Sequence, residues 1–168
     1  MNVCIPVKVP VVGSHQSYNI LPVFALAQFL GRDIREITSV FEDLVPQKGR
    51  GSILQGVNET TIIDGSYNGS HESISAGIEY LAELPSELHK CLFLGDMREL
   101  GRDSEELHRD IAEKIVSLAP SFVVLVGEDM GKYVAGRLRE FLGEARVCHF
   151  SNSKIAGQRI REILYEIE

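Results

Sequence analysis

The spacing of apolar residues changes along the chain, and each change marks an element. Residues 7–12 are apolar and predict a strand running into Gly13. Between residues 17 and 30 the apolar side chains crowd every side of a helix: Ile20, Leu21, Val23, Phe24, Leu26, Ala27, Phe29 and Leu30. A helix apolar all round is a buried helix, and Gly31 is its stop signal. Asp33 and Glu36 form an Asp-x-x-Glu capping pattern. Ile34, Ile37, Val40, Phe41 and Leu44 follow at helical spacing. Pro46-Gln-Lys-Gly-Arg-Gly51 then breaks the rhythm and is the best boundary in the chain.

Past that boundary, residues 52–55 and 60–64 read as short strands joined by Gly-Val-Asn-Glu, a hairpin. Strands and helices then alternate. Helices are expected at 72–84 (Ile74, Ile78, Leu81 and Leu84 on one face), 104–118 (Leu107, Ile111, Ile115 and Leu118), 131–142 and 154–167. Strands are expected at 91–94, 122–126 and 146–150. This alternation predicts an α/β fold with a mostly parallel sheet and helices on both faces. Residues 60–63, 91–94, 122–126 and 146–150 should be neighbouring parallel strands. The runs at 91–94 and 122–126 lack polar alternation, as strands buried on both faces do.

Composition narrows the picture. At 168 residues the chain makes one domain, or one plus a fragment. With 44% hydrophobic and 24% charged residues it is globular in composition, which argues against disorder. The net charge of -7 argues against a general nucleic-acid binder, which needs a basic face. Three cysteines, Cys4, Cys91 and Cys148, make no disulfide framework and suit a reducing cytoplasm. The first thirteen residues do not read as a signal peptide. No apolar run approaches the roughly 20 residues that span a bilayer, so no membrane role is expected.

In sheets of this kind ligands bind beyond the carboxyl ends of the strands. Three segments fall there. Asp64-Gly-Ser-Tyr-Asn-Gly-Ser-His71 packs glycines, Tyr67 and Asn68 into one turn; on pattern alone it reads as a plain turn and helix cap ahead of a ligand-lined loop, since such turns are common. Gly95-Asp-Met-Arg-Glu-Leu-Gly101 sets Asp96, Arg98 and Glu99 between two glycines. That triplet suits a zwitterion, or is a solvated charge-balanced loop. Gly127-Glu-Asp-Met-Gly131 reads as an ordinary strand–helix turn. There is no P-loop, no Gly-x-Gly-x-x-Gly and no nucleophile elbow. The five histidines show no zinc-like pairing with the cysteines, so neither a catalytic residue nor a metal ligand is assigned.

Together these strings resemble a known family. Ile-Ile-Asp64-Gly-Ser-Tyr-Asn68, then Leu94-Gly-Asp-Met-Arg-Glu-Leu-Gly101, then His108 are similar to the Mur ligases. Their branch is the one that adds D-alanyl-D-alanine to a UDP-muramoyl-tripeptide. Gly13-Ser-His15-Gln-Ser-Tyr-Asn19 resembles the family's Gly-x-His-Asn-x-x-Asn, and Lys48-Gly49-Arg50 its interdomain hinge. The resemblance implies that residues 1–45 are the tail of a central ATPase domain and 46–51 a hinge. Residues 52–168 would then be a Rossmann-like carboxy-terminal domain with one antiparallel strand, stopping before its usual last strand. The implied reaction is ATP- and Mg2+-dependent amide formation through an acyl phosphate in the cytoplasm, for peptidoglycan synthesis. Carried over by position, Asn19 meets adenine and Arg50 the phosphates. Tyr67 and Asn68 line the nucleotide side, and Asp96, Arg98 and Glu99 face the incoming dipeptide.

Two departures stand out. The family's second Asp, the ribose holder, is Gly65 here, and Gly69-Ser-His71 replaces Ala-Asn-Pro. Without a P-loop the chain is not expected to catalyse alone, or to hold ATP tightly. Two readings stay open: part of a ligase, or a non-catalytic binding or assembly module derived from one. Apolar faces on residues 1–45 also suggest a homo-oligomer.

Overall fold

The computed structural model describes residues 4–10 and 17–166, with side chains at 17 and 160–166 left aside. Most of the Gly13–Asn19 string therefore lies outside the described residues. The chain forms two compact units, Met1–Asn68 and Gly69–Glu168.

The first unit holds α1 (Ser17–Phe29), α2 (Ile34–Glu42) and the strands β1 (Ser52–Gln55) and β2 (Thr61–Asp64). Residues 7–10 form no strand, and 11–12 lie outside the described residues. Pro6 and Pro10 lack the N–H that a ladder needs. Helix α1 ends as its glycine indicates. Gly31 has φ +68°, its N–H reaches Gln28 O, and the Arg32 N–H reaches Ala27 O, the two bonds of a Schellman stop. Asp33 caps α2 through Oδ1, which accepts from Arg35 N at 2.9 Å.

The expectation that α1 is buried fails within this unit. Only Ala27 is buried, Phe24 stacks on Phe41 with centroids 5.3 Å apart, and Phe29 is 86% exposed. A helix apolar on all sides needs cover on all sides, and α2 supplies one.

Strands β1 and β2 form the expected antiparallel hairpin, with Ser52 opposite Asp64 and Gln55 opposite Thr61. Asn58 and Glu59, both at positive φ, make its turn. This corrects one expectation: β2 does not pair with the parallel strands but sits in a separate two-stranded sheet.

The second unit carries α3 (His71–Glu83), β3 (Cys91–Gly95), α4 (Ser104–Leu118), β4 (Phe122–Val126), α5 (Gly136–Leu142), β5 (Val147–Phe150) and α6 (Ser153–Glu166). Its sheet is parallel in the order β3-β4-β5. Leu92, Val123, Leu125 and Val147 face one side, where Ile78 of α3, Ile111 and Ile115 of α4, and Leu138 of α5 complete the main core. Phe122 and Val124 face the other side in a smaller cluster with Cys91, Cys148 and Phe150. Central β4 is buried on both faces, as its unbroken apolar run requires. The same expectation fails for β3, where Phe93 is 48% exposed, because β3 is an edge strand of this sheet. The helix expected at 131–142 opens as a π-helical segment, Met130–Ala135. There Gly131 packs against the His149 ring so closely that any side chain would collide with it.

Candidate functional site

Two groups of residues form, one in each unit. In the first unit Gly49 has φ +79°, and a Cβ there would strike the backbone of Tyr67. That contact lets the Gly49 carbonyl accept from Tyr67 N at 3.1 Å, and it ties the 46–51 segment to the end of β2. One consequence is that Arg50 lies over the Tyr67 ring, 4.2 Å from its centroid. Tyr67 remains 68% exposed, so the pair is an open platform of cation and ring. Asp64 Oδ1 accepts from both Ser66 N and Ser66 Oγ, at 3.0 and 2.6 Å, and these bonds hold its carboxyl below the usual aspartate range. Asn68 is exposed beside Tyr67, and Asn19 is exposed on the first turn of α1. The fold thus brings Arg50 and Tyr67 together across seventeen positions of sequence, while Asn19 stands on a different element.

In the second unit the loop after β3 holds Asp96, Arg98 and Glu99. These three do not face the same way. Asp96 turns toward the backbone: its Oδ2 accepts from Glu128 N at 2.9 Å and its Oδ1 from Met130 N at 2.8 Å. It satisfies donors at the start of the helix after β4, where a carboxylate is favoured. Gly127 makes room for it, at φ +115°, with the position of a Cβ already occupied by the Asp96 carboxylate. Arg98 and Glu99 are exposed, and Glu99 sits at φ +64°, a left-handed conformation uncommon outside glycine. The loop therefore offers one cation and one anion from a backbone pinned by Asp96. That arrangement can meet the carboxylate and ammonium of a zwitterion.

In sequence, residues 127–131 read as an ordinary turn and His108 carries no assigned role. The signal was present: His108 falls on the stripe of Ile111, Ala112 and Ile115, a polar residue at a core position. Among the described residues there is no cluster of three or more His, Cys, Asp or Glu that could hold a metal ion. No helix among them is long and apolar enough to cross a membrane.

The chain is similar to known proteins in sequence and in fold. The family description matching residues 49–165 is "Mur ligase, glutamate ligase domain". The UDP-N-acetylmuramoyl-tripeptide–D-alanyl-D-alanine ligase of Rickettsia prowazekii is 33% identical over 126 residues, covering 75% of this chain and 28% of that relative. A crystal structure of MurF from Acinetobacter baumannii superposes with TM-score 0.74 at 24% identity, covering 95% of this chain and 33% of that one. MurF from Thermotoga maritima, solved in complex with ADP, gives 0.65 at 22%, covering 96% of this chain and 40% of that one. The chain spans about a third or less of the length of the curated relatives it matches. The family description covers residues 49–165, well over half of the sequence, and so the chain belongs to the Mur ligase family.

Proposed function

We propose that the chain is the carboxy-terminal part of an ATP-dependent cytoplasmic ligase that joins D-alanyl-D-alanine to a UDP-muramoyl-tripeptide. Residues 1–45 would be the tail of the central ATPase domain, 46–51 the hinge and 52–168 the carboxy-terminal domain. The observation that carries the reading is the 96–101 loop: Asp96 pins it, and Arg98 and Glu99 stand exposed with opposite charges. Arg98 would meet the carboxylate of the incoming dipeptide and Glu99 its ammonium. ATP would phosphorylate the tripeptide carboxylate with ADP leaving; the dipeptide ammonium would lose a proton to solvent, and the free amine would attack the acyl phosphate, forming the amide as inorganic phosphate departs. Mg2+ serves the ATP chemistry of such ligases when bound. On this chain Arg50 would approach the nucleotide phosphates, Tyr67 and Asn68 the nucleoside, and Asn19 the adenine. The exposed Arg50–Tyr67 platform supports that placement.

Titration of the 15N-labelled chain with D-alanyl-D-alanine should move the Arg98 and Glu99 amides with a dissociation constant on the order of 1–10 mM, since one exposed ion pair at each end binds weakly. L-alanyl-L-alanine should move them less. No movement, or equal movement by both dipeptides, overturns the reading.

One observation favours a second reading, a module that kept the fold and lost the chemistry. Gly65 stands where the ribose-holding Asp is expected, and open space surrounds it, so an Asp there would fit without displacing a neighbour. ATP with Mg2+ should bind this chain more weakly than about 1 mM, only about 4 kcal/mol. Calorimetry checks this, and Gly65→Asp should tighten binding if the glycine is a true loss.

A further inference from the structure

Among the described residues of the second unit, His108 is the most deeply buried titratable side chain, with no exposure at all. Both of its ring nitrogens are engaged, and their partners fix its chemistry. Nε2 lies 3.2 Å from the backbone N of Met97. An amide N–H can only donate, so Nε2 is the bare acceptor nitrogen. Nδ1 lies 2.7 Å from the carbonyl O of Ser104, which can only accept, so Nδ1 carries the hydrogen. The ring is held as the neutral Nδ1–H tautomer. Ser104 Oγ lies 3.3 Å from Nδ1 and donates onward to Asp129 Oδ2 at 2.9 Å. The Tyr133 ring packs against the imidazole at a tilt, 6.2 Å between centroids.

The target of the imidazole matters. Met97 lies between Asp96, which is bound to the Glu128 and Met130 amides, and Arg98, which is exposed. The loop is therefore fastened at two successive residues: at 96 by its own carboxylate, at 97 by the ring from α4. Beyond these bonds the chain turns through the left-handed Glu99 and Gly101 before α4 begins. A one-residue slip at Met97 would redirect both charged side chains that follow.

We propose that His108 is a positioning residue for the incoming amine substrate: through the Met97 amide it sets the path of the loop that presents Arg98 and Glu99. This rests on the reading of that loop as the dipeptide-facing surface. A histidine kept only to fill the core would be replaced by Leu without consequence for the loop. A positioning histidine would be replaced by Gln, whose Oε1 stands near the place of Nε2 and can accept from Met97. Asn is too short to reach and keeps only the donor side toward Ser104.

The test uses the complete 168-residue chain with His108→Leu, His108→Gln and His108→Asn. In the unsubstituted protein, long-range 15N–1H spectra should show His108 with a protonated Nδ1 and an unprotonated Nε2 near neutral pH. The Met97 amide should exchange with solvent at least about tenfold faster in the Leu and Asn variants and return toward the original rate in Gln, while Val123 and Leu125 stay protected in all. The response of the Arg98 and Glu99 amides to D-alanyl-D-alanine should weaken about fivefold in the Leu and Asn variants and recover in Gln. A protonated Nε2, or Met97 exchange that is indifferent to the substitution, overturns the proposal. Equal behaviour of Gln and Leu also overturns it. Should His108→Leu not fold, the contrast between Gln and Asn decides. If the unsubstituted chain ignores the dipeptide while the tautomer and exchange results hold, the dipeptide reading falls and the substrate half of this proposal falls with it. If the dipeptide binds and the exchange result fails, only the role of His108 is lost.

Discussion

Single residues in this chain act mainly by making room or by leaving it. Gly127 makes room: it combines φ +115° with a Cβ position filled by the Asp96 carboxylate. Gly127→Ala adds backbone strain to a steric clash, and it breaks the bonds from Asp96 to the Glu128 and Met130 amides. It should destabilise the second unit by at least about 2 kcal/mol in urea unfolding. Ser75 shows the opposite case. It is buried on α3, and among the described residues its Oγ has no hydrogen-bond partner. Ser75→Ala removes an unsatisfied polar atom and improves helix propensity, so it should be neutral or stabilise by up to about 1 kcal/mol in the same measurement. Of the two, only the glycine was marked in the sequence. What needs it, a carboxylate thirty-one positions earlier, is visible only once β3 and β4 lie side by side.

At the scale of elements, the helices of the second unit are joined on their outer faces by polar ties. His71, the first residue of α3, reaches Asp110 of α4 at 2.7 Å, and Lys114 joins from 3.5 Å. The hydrogen bond from His71 is the main reason the Asp110 carboxyl is held below the usual aspartate range, with the charge of Lys114 assisting. A carboxyl with a depressed folded-state pKa adds stability above its unfolded pKa and loses it as pH falls through the lower folded value. Asp110→Asn should therefore make the melting temperature less sensitive to acid below about pH 4, and it should cost no more than about 1 kcal/mol at neutral pH because the pair is solvated. A variant as acid-sensitive as the original chain would remove Asp110 from that account. The bidentate pair of Arg137 with Glu113, at 2.7 and 3.1 Å, joins α5 to α4 in the same way. The periodicity of α3 and α4 gave both helices nearly to the residue. It was silent on which outward charges would meet, because that depends on the crossing of the two helices.

On the scale of the whole molecule, the first unit carries apolar surface that its own fold does not cover. Leu26, Phe29, Leu30 and Val40 are all more than half exposed on α1, α2 and the turn between them. Exposed apolar side chains in number favour association. The chain on its own is expected to self-associate with rising concentration in light scattering, and the double substitution Leu26→Glu and Phe29→Glu should return it to a monomer. A concentration-independent monomer before substitution would rule out these helices as the contact. Within each unit the candidate residues depend on long-range structure. Arg50 and Tyr67 are unremarkable as separate letters, and the hairpin between them places one over the other.

The sequence by itself determined the local elements and the strings that carry the family. Helical spacing gave α1 to α4 and α6, the glycine at 31 and the aspartate at 33 gave a stop and a cap, and apolar runs gave β3 and β4, because each of these is decided by neighbours within one or two turns of chain. Tertiary structure alone decided three matters. It kept β2 out of the parallel sheet and left it paired with β1 alone, since strand partners beyond a hairpin are chosen by hydrogen bonds between distant segments. It left α1 exposed, since burial requires a second surface that hydrophobicity can ask for but not provide. And it turned Asp96 inward while leaving Arg98 and Glu99 outward, since three charges in one loop are equivalent in sequence until the amides of the next strand's helix, and the imidazole of α4, claim the backbone beside them.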